Sequence, residues 1–336
     1  MDFELVHGGT DALGVPLHDF STNRNACGPC PQAVAALQAA NAAQYPDPAY
    51  TQLRQRLAQF HGVQAQQVIM AGSASEWIHR ITMHAARQGG VCVTVPQHHY
   101  GDYAHAAAVW RLPVVARGSA GADRCGLHWA CAPSSPLGQD DAGLQDWVLP
   151  AQRNEWRVLD CAYAPLRLSP APAPQELQQV WQMWTPNKAL GMTGVRAAYV
   201  IAPAQVSASE LAALQALAPS WVVGAHGVAM LEAWMTPAVQ SWLAQSLVCL
   251  QAWKAQQLAL CAQLGWQVVE GHQANYLVAR WPAQRQAAMA QDLAALRAQG
   301  IKLRDCSSFG LPGHVRLGVL PPASQQALQH AWLELV

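Results

Sequence analysis

The feature that most constrains the fold is an alternation that begins at about residue 66. Short apolar runs recur at Val68-Ile69-Met70, at Val91-Cys92-Val93-Thr94-Val95, and at residues 112–116, 127–132 and 157–160, with helix-like stretches between them. Residues 180–184 and 196–202 continue the series. Brief apolar runs bounded by Gly and Pro read as buried strands. Strands alternating with helices predict an α/β fold with a mainly parallel sheet covered on both faces. In such sheets the site lies beyond the carboxyl ends of the strands. Ser75, Tyr103, Ser135, Asp160, Thr185 and Lys188 all fall near those ends.

Lys188 stands out because the chain has only three lysines, the others being Lys254 and Lys302. Apolar segments flank it on both sides, at residues 180–184 and 195–202. That setting suits a partly desolvated amine able to attack a carbonyl. Glycines follow, then Arg196. One reading is a Schiff-base lysine holding pyridoxal phosphate, with Arg196 near the phosphate. The other is a lysine that snorkels at a strand end.

The turn Ala71-Gly72-Ser73-Ala74-Ser75-Glu76, between a strand and a helix, has the form of an anion site, since the first helical N–H groups point outward unpaired. Many such turns bind nothing. Charged residues make up 12% of the 336 residues and the net charge is zero, against roughly 25% charged in typical soluble domains. No basic patch argues for nucleic acid, and no apolar run reaches the roughly 20 residues of a membrane span. The opening Met1-Asp2-Phe3-Glu4 has no signal-peptide character, so a cytoplasmic enzyme is expected. Nine scattered cysteines then read as reduced thiols. Cys27-Gly28-Pro29-Cys30 has the spacing of a redox motif, but it lacks a preceding strand and reads better as a turn before a helix. No spacing of His and Cys suggests a metal site.

Helical periodicity covers the stretch after Pro31, residues 53–60, residues 207–218, and a long region 225–264 broken near Pro237. The pattern then changes to strands at 266–270, 276–281, 301–304 and 315–319, with helices at 283–299 and at the end. This predicts three parts: an N-terminal arm, 1–35, packing on the last unit; a large domain, 36–245; and a smaller α+β domain, 246–336. Pro170-Ala171-Pro172-Ala173-Pro174 reads as a short stiff loop.

These segments, in this order, resemble fold-type I pyridoxal-phosphate enzymes, and among them the histidinol-phosphate aminotransferase and threonine-phosphate decarboxylase branch of the class I/II aminotransferases. Residues 19–28 are similar to the family's D-F-S-x-N-x-N-P-x-G arm, and Tyr45-Pro46-Asp47-Pro48 to its Y-P-[DE]-P segment. Residues 71–76 stand where its phosphate-binding turn would be, and Tyr100-Gly101-Asp102-Tyr103 resembles its aromatic pair. Residues 133–138 stand for P-N-N-P-T-G, and Asp160-Cys161-Ala162-Tyr163 for D-E-A-Y.

The resemblance implies roles. Lys188 would hold the cofactor, and Asp160 would pair with its pyridine nitrogen. Tyr163 and Ser135 would reach its 3-oxygen, and Tyr103 would stack on its ring. Ser73, Ala74, Ser75, Thr185 and Arg196 would hold its phosphate. Tyr45 would reach that phosphate from a second subunit, which implies a homodimer. Arg316 would take a substrate carboxylate and Arg304 a second anionic group. His7, Gly8 and Asn23 resemble positions where threonine-phosphate decarboxylases bind phosphate. Ser135, Ser73, Ala74, Cys161 and Asn187 depart from the family's usual residues.

The function implied is an aminotransferase acting on an anionic amino acid or amino phosphate. One alternative is an L-threonine-O-3-phosphate decarboxylase of cobalamin biosynthesis, and another is a degenerate protein that only binds the cofactor.

Overall fold

The shortest strand, β1 (His18–Asp19), ties the two ends of the chain together by pairing in parallel with Ile301 and Lys302. It belongs to a computed structural model that describes residues 7–148, 151, 154–170 and 179–335. The opening residues Met1 to Glu4 and the prolines of residues 171–174 lie outside the described residues.

The alternation after residue 66 forms a seven-stranded sheet. Its strands are β2 (Val68–Ala71), β3 (Val93–Val95), β4 (Val114–Ala116), β5 (Leu127–Cys131), β6 (Trp156–Asp160), β7 (Trp181–Trp184) and β8 (Ala198–Ile201). They lie in the order β2-β8-β7-β6-β5-β3-β4. Only β8 runs antiparallel to its neighbours, so the sheet is mainly parallel, as expected. Strands β2, β3 and β8 are buried along their whole length, which is why they read as unbroken apolar runs. On one face the helices Ala74–Arg87 and Gly101–Val109 press Trp77, Ile81, Tyr103 and Ala106 onto Leu127, Trp129 and Met183. On the other, Leu53, Leu57, Met230 and Leu231 pack on Tyr199 and Ile201.

The long helical region breaks where Pro237 predicts, into Ala225–Trp234 and Pro237–Gln263. Proline occupies the first turn of the second helix, where its missing N–H is harmless, and the Thr236 hydroxyl caps it by accepting from the Val239 amide. This 27-residue helix contributes Val239 and Leu250 to the core of the large sheet and Leu260 and Cys261 to the C-terminal core.

The C-terminal strands are β9 (Gln267–Val268), β10 (Tyr276–Arg280), β11 (Ile301–Lys302), β12 (Arg304–Asp305) and β13 (His314–Gly318). Strands β12-β13-β10-β9 form an antiparallel sheet. The single strand expected at 301–304 is thus divided: β11 pairs with β1, and β12 pairs with β13. The division places Arg304 directly opposite Arg316.

The cysteines do not all stay reduced. Cys92 and Cys125 precede two strands that pair in parallel, β3 and β5, which brings their Cα atoms to 4.6 Å and joins them in a disulfide. Periodicity gave no hint of this, because the pairing comes from sheet order. Cys27 and Cys30 remain free thiols. Cys30 takes the N-cap position of the helix Pro31–Gln38, the turn-before-helix role expected of the motif.

Candidate active site

A cavity of about 420 Å³ opens at the carboxyl ends of the large sheet's strands. It is walled by seven separate pieces of chain: the N-terminal arm, the turn after β2, the segment that follows β3, the loop after β5, the end of β6, the loop between β7 and β8, and the C-terminal strands.

The loop after β7 carries Lys188. Its backbone is pinned by the arm, with the Asn25 amide donating to the Lys188 carbonyl at 2.9 Å and the Cys30 amide to the Leu190 carbonyl at 2.9 Å. The close approach requires glycine. Gly191 has φ +69°, and a Cβ there would sit 2.9 Å from the Gly28 Cα. The Lys188 side chain is half-buried, with Nζ 5.1 Å from the centre of the Tyr163 ring.

Asp160 ends β6 on the cavity floor and is 4% exposed. It accepts from the Tyr103 hydroxyl at 2.7 Å and from the Ala162 amide at 2.9 Å. Burial raises its pKa, and the Tyr103 bond and Lys188 act against that rise. Tyr163 lies three residues on, receives a bond from Asn23 Nδ2 at 3.3 Å, and packs edge-on against Tyr276.

At the other end, Ser73 caps the helix Ala74–Arg87 by accepting from the Glu76 amide at 3.1 Å. Glu76 in turn braces the turn by accepting from the Gly72 amide and from Arg80. The amides of Ala74 and Ser75 are left at the open helix end, beside the cavity. Thr185 and Arg196 line the same cavity, and Thr185 Oγ1 is buried without a hydrogen-bond partner.

Arg304 and Arg316 close the cavity from the small sheet and are 5% and 7% exposed. Arg304 donates to the Asp305 carbonyl and to Ser308 Oγ, and lies over the Phe309 ring. Burial and the neighbouring Arg316 lower its pKa. Arg316 donates to the Ser21 carbonyl at 3.1 Å and weakly to Ser135 Oγ at 3.4 Å, and its Nε is buried and unpaired. His7, Gly8 and Asn23 also line the cavity. Gly8 lies so close to the Ser21 carbonyl that a Cβ would stand 2.2 Å from its oxygen.

Fourteen of the expected residues therefore meet: His7, Gly8, Asn23, Ser73, Ala74, Ser75, Ser135, Asp160, Tyr163, Thr185, Lys188, Arg196, Arg304 and Arg316. Two do not. Tyr103 is fully buried, with the Trp129 ring stacked on one face at 4.3 Å, so it cannot also stack on a ligand. Tyr100, three residues earlier, lines the cavity instead. Tyr45 is 78% exposed and stacks on Trp221, apart from this cavity. Among the cavity residues that had not been singled out as site residues are Arg24, Tyr100 and Asp102. Their nearness to the arm and aromatic segments was the available signal.

The residues present fit pyridoxal phosphate. A buried carboxylate whose charge is penalised gains from a cationic ring nitrogen. Thr185 Oγ1, buried and unpaired, gains from a phosphate oxygen, as do two helix-end amides. The cationic wall of Arg24, Lys188, Arg196, Arg304 and Arg316 outnumbers the carboxylates Asp102 and Asp160.

Comparison with known proteins agrees. Residues 16–333 match the family model for aminotransferase class I and II. The histidinol-phosphate aminotransferase of Symbiobacterium thermophilum is 28% identical over 337 residues, covering 94% of this chain and 90% of that protein. Two solved structures share the fold. One is histidinol-phosphate aminotransferase from Sinorhizobium meliloti in complex with pyridoxal-5'-phosphate, with TM-score 0.75, 20% identity, and 94% and 90% of the two chains covered. The other is L-threonine-O-3-phosphate decarboxylase from Porphyromonas gingivalis, with TM-score 0.72, 19% identity, and 90% and 93% covered. The chain belongs to the class I and II aminotransferases, a family of pyridoxal-phosphate-dependent enzymes.

Proposed function

We propose that this aminotransferase acts on an amino acid bearing a second anionic group, with Lys188 as the residue that holds the cofactor. The observation that carries the reading is the pair Arg304 and Arg316, opposite each other on neighbouring strands and both lining the Lys188 cavity. Arg316, buried with an unpaired Nε, calls for an anion, and Arg304 beside it puts a second guanidinium within the same cavity.

Pyridoxal phosphate, when bound, supplies a carbonyl for the substrate amine and a ring that accepts electron density from the substrate's Cα. Asp160 would hold the ring nitrogen and keep it protonated, with Tyr103 orienting the carboxylate from below. Tyr163 and Ser135 would donate at the 3-oxygen, and Tyr100 would cover the ring. The amides of Ala74 and Ser75, with Ser73, Thr185 and Arg196, would hold the phosphate. Arg316 would fix the substrate carboxylate in its fork, and so set which Cα bond stands ready to break. The Lys188 amine, on the cavity side of Tyr163, would hold the cofactor and serve as the base that moves the substrate's α-proton.

A second reading is favoured by one observation: His7 and Gly8 join Asn23 in the cavity wall, at positions that resemble a phosphate subsite. On that reading the enzyme is a threonine-phosphate decarboxylase of cobalamin biosynthesis, and the bond aligned for cleavage is Cα to carboxylate. Incubation with a panel of amino acids and phospho-amino acids separates the two. Keto acid with pyridoxamine phosphate supports the transferase, and carbon dioxide without keto acid supports the lyase. Absence of both with every donor contradicts each.

The same reading includes a cytoplasmic homodimer divided into the arm, large domain and small domain given above. Tyr45 and Trp221, stacked and exposed, suit contact with a second copy.

A further inference from the structure

The proposed reading leaves one buried carboxylate in the cavity wall without a task. Asp102 is 6% exposed and lies in the first turn of the helix Gly101–Val109. It accepts a short hydrogen bond, 2.5 Å, from Ser75 Oγ. Ser75 belongs to the first turn of the other helix that faces the cavity, the one whose open amides form the anion turn. Tyr100 faces the same pair: its hydroxyl interacts with both Ser75 and Asp102, and burial together with the Asp102 charge raises its pKa.

Two physical consequences follow. The Ser75 hydroxyl has one proton, and Asp102 takes it, so that hydroxyl cannot donate to a phosphate oxygen. The carboxylate also lies in the first turn of its own helix, where the helix dipole favours an acidic side chain. Among the described residues no ion pair joins it to an arginine or lysine. Burial keeps the neighbouring His79 toward its neutral form, so that ring does not offset the charge. An acidic side chain therefore stands against a turn that otherwise attracts anions.

We propose that Asp102 is a positioning residue that weakens the grip of the Ala71–Ser75 turn on the cofactor's phosphate, and so sets how readily the cofactor exchanges. The inference rests on the site reading above, in which that turn holds the phosphate. Like charges in a partly buried site repel strongly enough to change an affinity by about tenfold or more. An enzyme whose turn bore no such charge would hold the phosphate form more tightly.

Equilibrium titration of the cofactor-free protein, followed by visible absorbance, tests this with two ligands: pyridoxal phosphate and pyridoxal, which lacks the phosphate. Asp102→Asn keeps the shape and an acceptor for Ser75 but removes the charge. It is expected to bind pyridoxal phosphate about tenfold more tightly than wild type, with pyridoxal affinity unchanged. Asp102→Glu, which retains the charge, is expected not to tighten. Equal or weaker binding of pyridoxal phosphate by Asp102→Asn overturns the proposal, as does equal tightening for both ligands, which would place the effect on the ring through Tyr100. If Asp102→Asn does not fold, Asp102→Ser replaces it under the same criteria. Failure of the wild-type protein to bind pyridoxal phosphate overturns the site reading itself, and this inference with it.

Discussion

Tyr103 donates its hydroxyl proton to Asp160 Oδ2 at 2.7 Å, from a position fully buried beneath the cavity. The bond favours the ionised carboxylate where burial disfavours it. Tyr103→Phe removes the donor and leaves the ring packing on Trp129 in place. A hydrogen bond to a charged group is worth about 1.5–3 kcal/mol. Cofactor affinity is therefore expected to fall about tenfold, measured by equilibrium titration, and the melting temperature of the cofactor-free protein is expected to fall as well, because the bond is already made there. Unchanged affinity would mean that Asp160 does not depend on Tyr103.

Arg316 offers a fork to a carboxylate, and Lys cannot reproduce it. Arg316→Lys is expected to raise KM and lower kcat together, while the absorbance of bound cofactor persists. Arg316→Gln leaves an anion facing a neutral amide in a buried place, and kcat/KM is expected to drop roughly 30-fold or more. Steady-state kinetics on the best substrate checks both.

Gly8 has no room for a side chain, because a Cβ would press on the Ser21 carbonyl at 2.2 Å. Gly8→Ala must push the His7 segment away from the arm, a strain of about 1–3 kcal/mol. Because His7 lines the cavity, the expected effect is a higher KM for phospho-amino acids with a smaller effect on dicarboxylic amino acids. Equal effects on the two substrate classes would remove the phosphate subsite from the second reading.

His61 closes the helix Thr51–His61 and lies against Trp184 and Tyr199, with Nε2 2.8 Å from the Tyr199 hydroxyl. Burial lowers its pKa from 6.5 to about 4. Between those two values the unfolded chain carries a proton there that the folded chain does not, so stability from this group rises with pH across that window and is lost as pH falls. The melting temperature is expected to decline from pH 6.5 to 4, and His61→Asn is expected to flatten part of that slope. An unchanged slope in the variant would assign the acid sensitivity elsewhere.

Much of this architecture was readable from local pattern. Strands β2, β3 and β8 coincide with apolar runs because they are buried along their whole length, and Pro237 marks a helix start because proline suits only the first turn. The site was readable where a residue's place along a strand decides its direction, as for Asp160 at the end of β6. It was not readable where two like residues lie a turn apart. Tyr100 has extended backbone just before the helix and faces the cavity; Tyr103, inside the helix, faces Trp129 and the sheet. Either could have stacked on a ring. The Asp102–Ser75 bond joins two helix starts separated by 27 positions, and the Cys92–Cys125 bond depends on β3 and β5 being neighbours. Both are products of tertiary order, and no periodicity encodes them. The division of residues 301–304 between two sheets is of the same kind.

The central claim is that Lys188, alone of the three lysines Lys188, Lys254 and Lys302, holds the cofactor. Borohydride reduction of the protein loaded with pyridoxal phosphate fixes the cofactor covalently to its lysine, and peptide mass spectrometry then locates it. The account predicts a single modified peptide containing Lys188, absent in Lys188→Ala. Modification at Lys254 or Lys302 alone, or no modified lysine at all, would contradict it.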